Sequence, residues 1–146
     1  MKNQVMRSSA ILGLFFMLAI ASVNAQIPSR VEVNIPFDFS AGKATLKAGI
    51  YSIKRTSANV LAIRSADGKT TALVNAPLTI GSRDSKAGER LVFNQYGNQY
   101  FLSQVWLSVD TGRQLFTSGA EAKAAREYKL ANNAKPKRVE IAMHSR

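Results

Sequence analysis

Cysteine is absent from the 146 residues, and histidine occurs once. Without cysteine no disulfide can hold the fold, so its stability must come from the burial of apolar side chains. The same absence excludes thiol nucleophiles, thiolate metal sites and lipid attachment to an N-terminal cysteine. The single histidine, His144, has no partner at catalytic or metal-binding spacing, and we expect it in a frayed tail. The sequence therefore predicts no catalytic set, no metal site and no cofactor.

Long apolar runs are also scarce. The longest, Ile11–Ala21, is about half the roughly twenty residues that a membrane-spanning helix needs. Lys2 and Arg7 precede this run, and Val23-Asn24-Ala25 supplies the small residues that a signal peptidase reads. We therefore predict that residues 1–25 are a signal peptide, with an uncleaved N-terminal anchor as the alternative. The mature protein is expected to be exported, periplasmic or extracellular, with no membrane span.

Acidic residues are too few to balance the bases. Removal of Lys2 and Arg7 leaves eighteen of the 20 Lys and Arg against 9 acids, so residues 26–146 carry a net charge of about +9. Such an excess attracts polyanions over long range, for example anionic envelope polymers or lipid headgroups. Because the bases are scattered, solubility alone is the competing explanation, and no specific nucleic-acid site is predicted.

Residues 26–146 are predicted to form a single β-rich domain, because apolar residues alternate with polar ones along most of them. Pro36 interrupts the first such stretch and indicates an edge strand or a bulge. Gly81–Gly88 is polar and rich in small residues, so we expect an exposed mobile loop there. The predicted strands outside the central hairpin are Arg30–Phe39, Gly49–Arg55, Asn59–Arg64, Lys69–Asn75, Leu78–Ile80 and, as a possible closing strand, Lys137–Met143.

The clearest hairpin signal is a pair of apolar runs, Leu91–Tyr96 and Tyr100–Leu107, on either side of Gly97-Asn98. A Gly-Asn dipeptide supports the positive φ angles of a two-residue turn. Because the second run is apolar on both faces, we expect it at the centre of a sheet with cover on both sides. Strict alternation places Tyr100, Leu102 and Trp106 on one face and Phe101, Val105 and Leu107 on the other.

A helical period begins only near residue 118. Ser118 and Glu121 have capping-box spacing, in which Ser118 accepts from the first-turn amides and Glu121 reaches back. We predict a helix over about residues 118–132 and a tail over residues 133–146. Its thin apolar face (Ala124, Tyr128 and Ala131) suggests that the helix lies on a sheet. The expected fold is mainly β: a small antiparallel β-sandwich or partly open barrel with one C-terminal helix.

One motif has a catalytic precedent. Asp110-Thr111-Gly112 resembles the loop that presents a carboxylate in retroviral-type aspartic proteases, whose dimers pair two such acids. Arg113 replaces the usual small residue, and a simple turn explains Gly112 equally well. A dimeric aspartic-type hydrolase using Asp110 is therefore kept as a remote alternative to a non-enzymatic protein.

Aromatic and arginine side chains near the hairpin are the candidate binding residues. Tyr96 and Tyr100 flank the turn, where side chains are often half exposed, and Arg90 and Arg113 lie nearby in sequence. Such side chains stack on sugars, bases or apolar ligands. We predict that these four residues bind a partner, with core filling as the alternative. The partner is unknown, with anionic envelope polymers or another envelope protein as candidates.

Four motifs resemble those of a group of small exported proteins of unknown function from acidobacteria. They are a Pro-Phe-Asp-Phe strand, an Ala-Gly-x-Tyr turn, a Tyr-Gly-x-x-Tyr-Phe-Leu-Ser-x-x-Trp hairpin and Gly-Arg-x-Leu, at Pro36–Phe39, Ala48–Tyr51, Tyr96–Trp106 and Gly112–Leu115. In that group Asp-Thr need not precede Gly-Arg-x-Leu, which weakens the protease hypothesis. The resemblance implies an exported β-domain but no activity. We therefore expect an exported non-enzymatic binding protein, or alternatively a weak polyanion binder acting through its basic surface.

Overall fold

The computed structural model describes residues 31–82 and 87–145. The predicted signal peptide, residues 1–25, lies outside the described residues, as do residues 83–86 of the predicted loop. Within the described part, no helix has the length and apolar character needed to cross a membrane.

The described residues form two β-sheets and one helix, which confirms the predicted β-sandwich with a single helix. In chain order the elements are β1 (Val31–Ile35), β2 (Phe39–Ala41), β3 (Ala44–Leu46), β4 (Gly49–Arg55), β5 (Val60–Ser65), β6 (Thr71–Asn75), β7 (Leu78–Gly81), β8 (Arg90–Tyr96), β9 (Gln99–Trp106), β10 (Thr111–Gln114), α1 (Gly119–Asn132), β11 (Lys137–Ala142) and β12 (His144–Ser145).

Sheet A has the strand order β12-β1-β4-β5-β6, and sheet B has the order β11-β8-β9-β10-β7 with the β2–β3 hairpin attached to β9. All pairings are antiparallel except the contact of β2 with β9. The described chain passes between the sheets four times: from β1 to β2, from β3 to β4, from β6 to β7 across Pro77, and from β11 to β12 across Met143. The predicted closing strand therefore pairs with β8 of its own chain, and residues 133–146 are not a simple tail. His144 was expected in a frayed tail, but it lies in β12 and pairs with Glu32 of β1.

The core fills the space between the two sheets. Val31, Val33, Ile35 and Phe39 are buried in it as their alternation predicts, and Phe37 packs against it. The prediction of one continuous strand over Arg30–Phe39 was wrong, because β1 ends at Ile35 and Phe39 begins a strand of the other sheet. The physical reason is Pro36, which has no N–H for a ladder and lets the chain leave sheet A.

The β8–β9 hairpin has the predicted two-residue turn, since Tyr96 pairs directly with Gln99. Gly97 has a φ of 60° while Asn98 keeps a negative φ, which fits a type II′ turn. β9 is central in sheet B, as predicted.

The predicted faces of β9 were partly wrong. Val92 pairs with Gln104 but Phe93 pairs with Leu102, so Ser103 is an extra residue in β9. Such a bulge reverses the alternation beyond it. Leu102 and Val105 therefore share the core, with Tyr100 and Leu107 packed against it, whereas Phe101 and Trp106 lie outside that cluster.

Helix α1 begins and ends as its capping residues predict. The Ser118 hydroxyl accepts the N–H of Glu121 at 3.1 Å, and Asn133 adopts the left-handed conformation at the C-cap. The Glu121 carboxylate does not reach back to complete a capping box; it turns to sheet B and accepts from Asn94 at 2.8 Å. Ala124 is buried and Tyr128 is half-buried, but Ala131 is exposed, so the packed face is narrower than predicted.

Candidate functional site

A cleft of about 370 Å³ opens between the sheets at the end of the sandwich where β4 and β9 end and β10 begins. Its walls come from both sheets, and three of the residues that line it are cationic. The lining residues are Val31, Lys54, Arg55, Val105, Leu107, Ser108, Thr111 and Arg113.

Two arginines enter this cleft from opposite sheets. Arg55 is the last residue of β4 and follows the core residues Tyr51 and Ile53 in alternation, so it belongs to the inner face of sheet A. Arg113 pairs with the buried Val105 and belongs to the inner face of sheet B. Packed sheets lie about 10 Å apart, so one small anionic group between them can contact both side chains.

Bases outnumber acids around the cleft. Lys54, Arg55 and Arg113 are among its lining residues, and the described lining contains no Asp or Glu, although the Asp110 carboxylate lies at the rim, bonded to Ser108. Among the described residues none of these three cations forms an ion pair, whereas other bases do, such as Lys47 with Asp38 at 2.9 Å. Like charges that share a cleft raise each other's electrostatic energy, and a bound anion relieves that repulsion. The arrangement therefore favours anion binding.

The floor of the cleft is apolar and its rim carries hydroxyl groups. Val31 and Val105 are buried beneath it. At the rim, the Ser108 hydroxyl accepts the N–H of Thr111 at 3.2 Å and donates to Asp110 at 3.0 Å. Asp110 is exposed in this turn, but Gly112 lies in β10 without a positive φ, so the interpretation of Gly112 as a turn glycine was wrong. A ligand that combines a negative group with an apolar part would match this lining.

Of the four predicted binding residues, only Arg113 lies in the cleft. Arg90 is packed on the outer face of sheet B, with its guanidinium carbon 4.3 Å from the centroid of the Trp106 ring. Its Nε stands 3.4 Å from a carboxylate oxygen of Glu140, and Nη1 donates to the carbonyl of Gly88 at 3.0 Å. The side chain of Arg90 is only 9% exposed, so its observed contacts are structural.

The two tyrosines lie on opposite faces of sheet B. Tyr96 is half-buried beneath α1, where its hydroxyl lies 3.5 Å from Glu121 and its ring contacts Tyr128. Burial raises the pKa of Tyr96. The negative charge of Glu121 and the hydrogen bond to Glu121 raise it further. Tyr100 faces inward and stacks on Phe37 with ring centroids 3.8 Å apart. The structure therefore separates Arg90, Tyr96, Tyr100 and Arg113 instead of joining them in one site.

A second hollow of about 370 Å³ lies between the C-terminal end of α1 and the β8–β9 hairpin. Tyr96 and Ala125 form part of its base, and Lys129 and Lys135 line it. Unlike the cleft, it receives its cations from the end of one helix and the segment that follows. Tyr96 links it to the predicted binding residues.

Two of the three cationic residues of the cleft, Lys54 and Arg55, were not predicted as binding residues. The sequence pattern of Gly49–Arg55 could have indicated Arg55. Its inward-facing positions are Tyr51, Ile53 and then Arg55, so the arginine lies at the end of the sheet on the core side. Among residues 31–82 and 87–145, no three His, Asp or Glu side chains meet as a metal site would require.

Comparisons with protein-family models, characterised proteins and solved structures found no match for the chain. The acidobacterial resemblance therefore stays a prediction.

Proposed function

We propose that the protein is an exported, non-enzymatic binding protein that holds an anionic group in the cleft between its sheets. The observation that carries this proposal is the pair Arg55 and Arg113, which belong to the inner faces of opposite sheets and line one cleft, with no Asp or Glu among the described lining residues. The signal peptide predicted for residues 1–25 supports export, and we therefore propose a ligand in the periplasm or outside the cell. Anionic polymers of the envelope are the ligand class that this chemistry fits.

Arginine suits this role better than a general positive charge would. A guanidinium group presents several N–H donors in a planar fork that matches the two oxygens of a carboxylate or phosphate. The positive net charge of the whole chain adds long-range attraction and speeds the encounter with a polyanion. Because the cleft is open to solvent, we expect modest affinity that falls as salt rises.

The alternative is a polyanion binder that uses its whole basic surface. Exposed cations away from the cleft include Lys43, Lys69, Arg126, Lys135 and Lys137. In that case each cation contributes about equally, so the location of a substitution should not matter. The aspartic-hydrolase alternative is not carried forward, because Asp110 is exposed and bonded within its own turn.

Retention on a heparin column under a rising salt gradient separates these hypotheses. The test variant is Arg55→Gln/Arg113→Gln, and the matched control is Lys69→Gln/Arg126→Gln, which removes the same charge from exposed positions outside the cleft. The cleft proposal predicts that the test variant elutes at clearly lower salt than the control. Equal shifts of the two variants would favour the surface alternative, and no retention of the unchanged protein at low salt would contradict both.

A hydrolysis panel tests the non-enzymatic part of the proposal. We expect the purified protein to hydrolyse none of the substrates, so that Asp110→Ala has no hydrolytic activity to remove. Activity that disappears with this substitution would overturn the non-enzymatic proposal.

A further inference from the structure

One lateral edge of the sandwich lacks charge. Strands β6 and β7 are the outermost strands of sheets A and B on this side, and they are joined through Pro77. The segment Thr71–Gly81 contains no Lys, Arg, Asp or Glu, in a chain that is 20% charged. Leu73 is 70% exposed and Leu78 is 48% exposed on this segment. An exposed and uncharged edge strand is a template for pairing with another strand.

The opposite lateral edge is different. Strand β11 carries Lys137, Arg138 and Glu140, and the last two form an ion pair at 3.0 Å. Charged side chains on an edge oppose pairing with a further chain. Only the β6–β7 side of the sandwich therefore combines an outermost strand with an uncharged, partly apolar sequence among the described residues.

The hydrogen-bond phase of β6 shows which of its backbone groups face outward. Ser65 donates to the carbonyl of Thr70 at 2.9 Å, and Ala76 donates to the carbonyl of Asn59 at 2.7 Å. In an antiparallel ladder such pairs alternate, so the even-numbered residues between them also bond to β5. The N–H and C=O groups of Thr71, Leu73 and Asn75 consequently point away from the sheet.

These outward groups are self-complementary. If two β6 strands run antiparallel about a two-fold axis at Leu73, Leu73 faces its own symmetry mate and Thr71 faces Asn75 of the other copy. Each outward-facing residue then meets an outward-facing residue, as a hydrogen-bonded antiparallel pair requires. The same surface serves both partners, which is the condition for a closed two-fold interface.

We propose that two copies of the chain pair through β6, so that their two A sheets join into one continuous sheet. The exposed Leu73 side chains cover each other across the new pair, and such cross-strand apolar pairs stabilise sheets. The charges nearest to β6 in sequence are Asp67 and Lys69 in the preceding turn, which have opposite signs, and the exposed Arg64 of β5 lies beside Thr71. Pro77 has no N–H and limits the paired segment to β6. A peptide from another protein would use the same groups, and the test below distinguishes it.

The test is the molar mass of the protein in solution. The protein is expressed with residues 1–25, the predicted signal peptide, and is purified after export. Its mass is then measured by light scattering and sedimentation over a range of concentrations. We expect a mass that rises to twice that of the monomer. Leu73→Lys places two positive charges opposite each other at the axis and should return the protein to a monomer. Ile50→Lys is the control, because Ile50 is also exposed, at 51%, but lies in β4 inside the same sheet; it should remain dimeric.

Amide hydrogen exchange identifies the strand that is used. In the dimer, the amides of Thr71, Leu73 and Asn75 should exchange slowly along with those of Ala72 and Val74, and Leu73→Lys should restore fast exchange at Thr71 and Asn75 alone. Slow exchange at Ala72 and Val74 in the variant shows that it is folded. A monomer at all concentrations with fast exchange at Thr71, Leu73 and Asn75 would overturn the proposal. A monomer whose edge amides are protected by a co-purifying peptide would also overturn it, in favour of a peptide partner.

Discussion

Gly112 lies directly against the indole ring of Trp106, its neighbour across the β9–β10 ladder. A Cβ at residue 112 would stand 2.5 Å from Cδ2 of the ring, closer than real Cβ contacts come. On the adjacent strand β8, Arg90 covers the same ring. The glycine therefore has a packing reason, since the ring occupies the space of the missing side chain.

Gly112→Ala should destabilise the protein, because the added methyl group forces the Trp106 ring or the strand to move. Overpacking of this kind costs about 1–3 kcal/mol. Urea unfolding followed by the fluorescence of the chain's single tryptophan measures the loss in unfolding free energy. Gly119→Ala is the control: nothing lies within 4 Å of its Cβ position, and it should leave stability unchanged or slightly raised. Equal stability of Gly112→Ala and the unchanged protein would refute the packing argument.

Glu121→Ala should loosen α1 from sheet B. The buried carboxylate accepts from Asn94 at 2.8 Å, and hydrogen bonds to charged groups contribute about 1.5–3 kcal/mol. Glu127→Ala is the matched control. Glu127 is exposed and forms a weak ion pair with Lys123 at 3.9 Å, and the loss of such a pair costs a few tenths of a kcal/mol. Thermal unfolding of both variants measures the difference. If both variants lose the same stability, the Asn94 contact does not anchor the helix.

Stability should fall at alkaline pH, and Tyr51 should contribute part of this loss, alongside Tyr96, whose pKa is also raised. Burial, followed by the charges of Asp38 and Asp67, raises the pKa of Tyr51 above its ordinary value. A raised pKa in the folded state means that the stabilisation is fully present below about pH 10 and is lost as pH rises through the folded pKa. The phenolate can no longer donate the 2.7 Å hydrogen bond to the carbonyl of Lys47.

Denaturant unfolding at increasing pH tests this prediction. Tyr51→Phe should be less stable than the unchanged protein at neutral pH and should lose less stability above pH 10. Parallel pH curves for the two proteins would contradict a role for Tyr51 in the alkaline loss.

The elements of the fold could be predicted where their signals are local. Gly97-Asn98 sets its turn within four residues, and Ser118 begins its helix within one turn, so both follow from neighbouring sequence. The bulge at Ser103 could not be predicted, because it depends on how β9 aligns with β8. That register is decided by the packing of Leu102 and Val105 into a shared core, which is a non-local effect.

The candidate site was harder to predict from the sequence than the turns and the helix, because it also depends on non-local contacts. Arg113 was predicted to bind, but Tyr100 was assigned to binding from its place beside a turn, and it packs on Phe37 in the interior. The cleft requires the end of β4 to face the beginning of β10 across two sheets. Residues so distant in sequence are brought together only by the sandwich, so Arg55 could not be paired with Arg113 beforehand.

The most direct measurement of the central claim is an NMR titration of the protein with a short inorganic polyphosphate, following the Nε–Hε signals of individual arginines. The account predicts saturable shifts for Arg55 and Arg113 that weaken as salt rises, with little change for the exposed Arg64 and Arg126 outside the cleft. Shifts of similar size at all four arginines would contradict a cleft that binds anions.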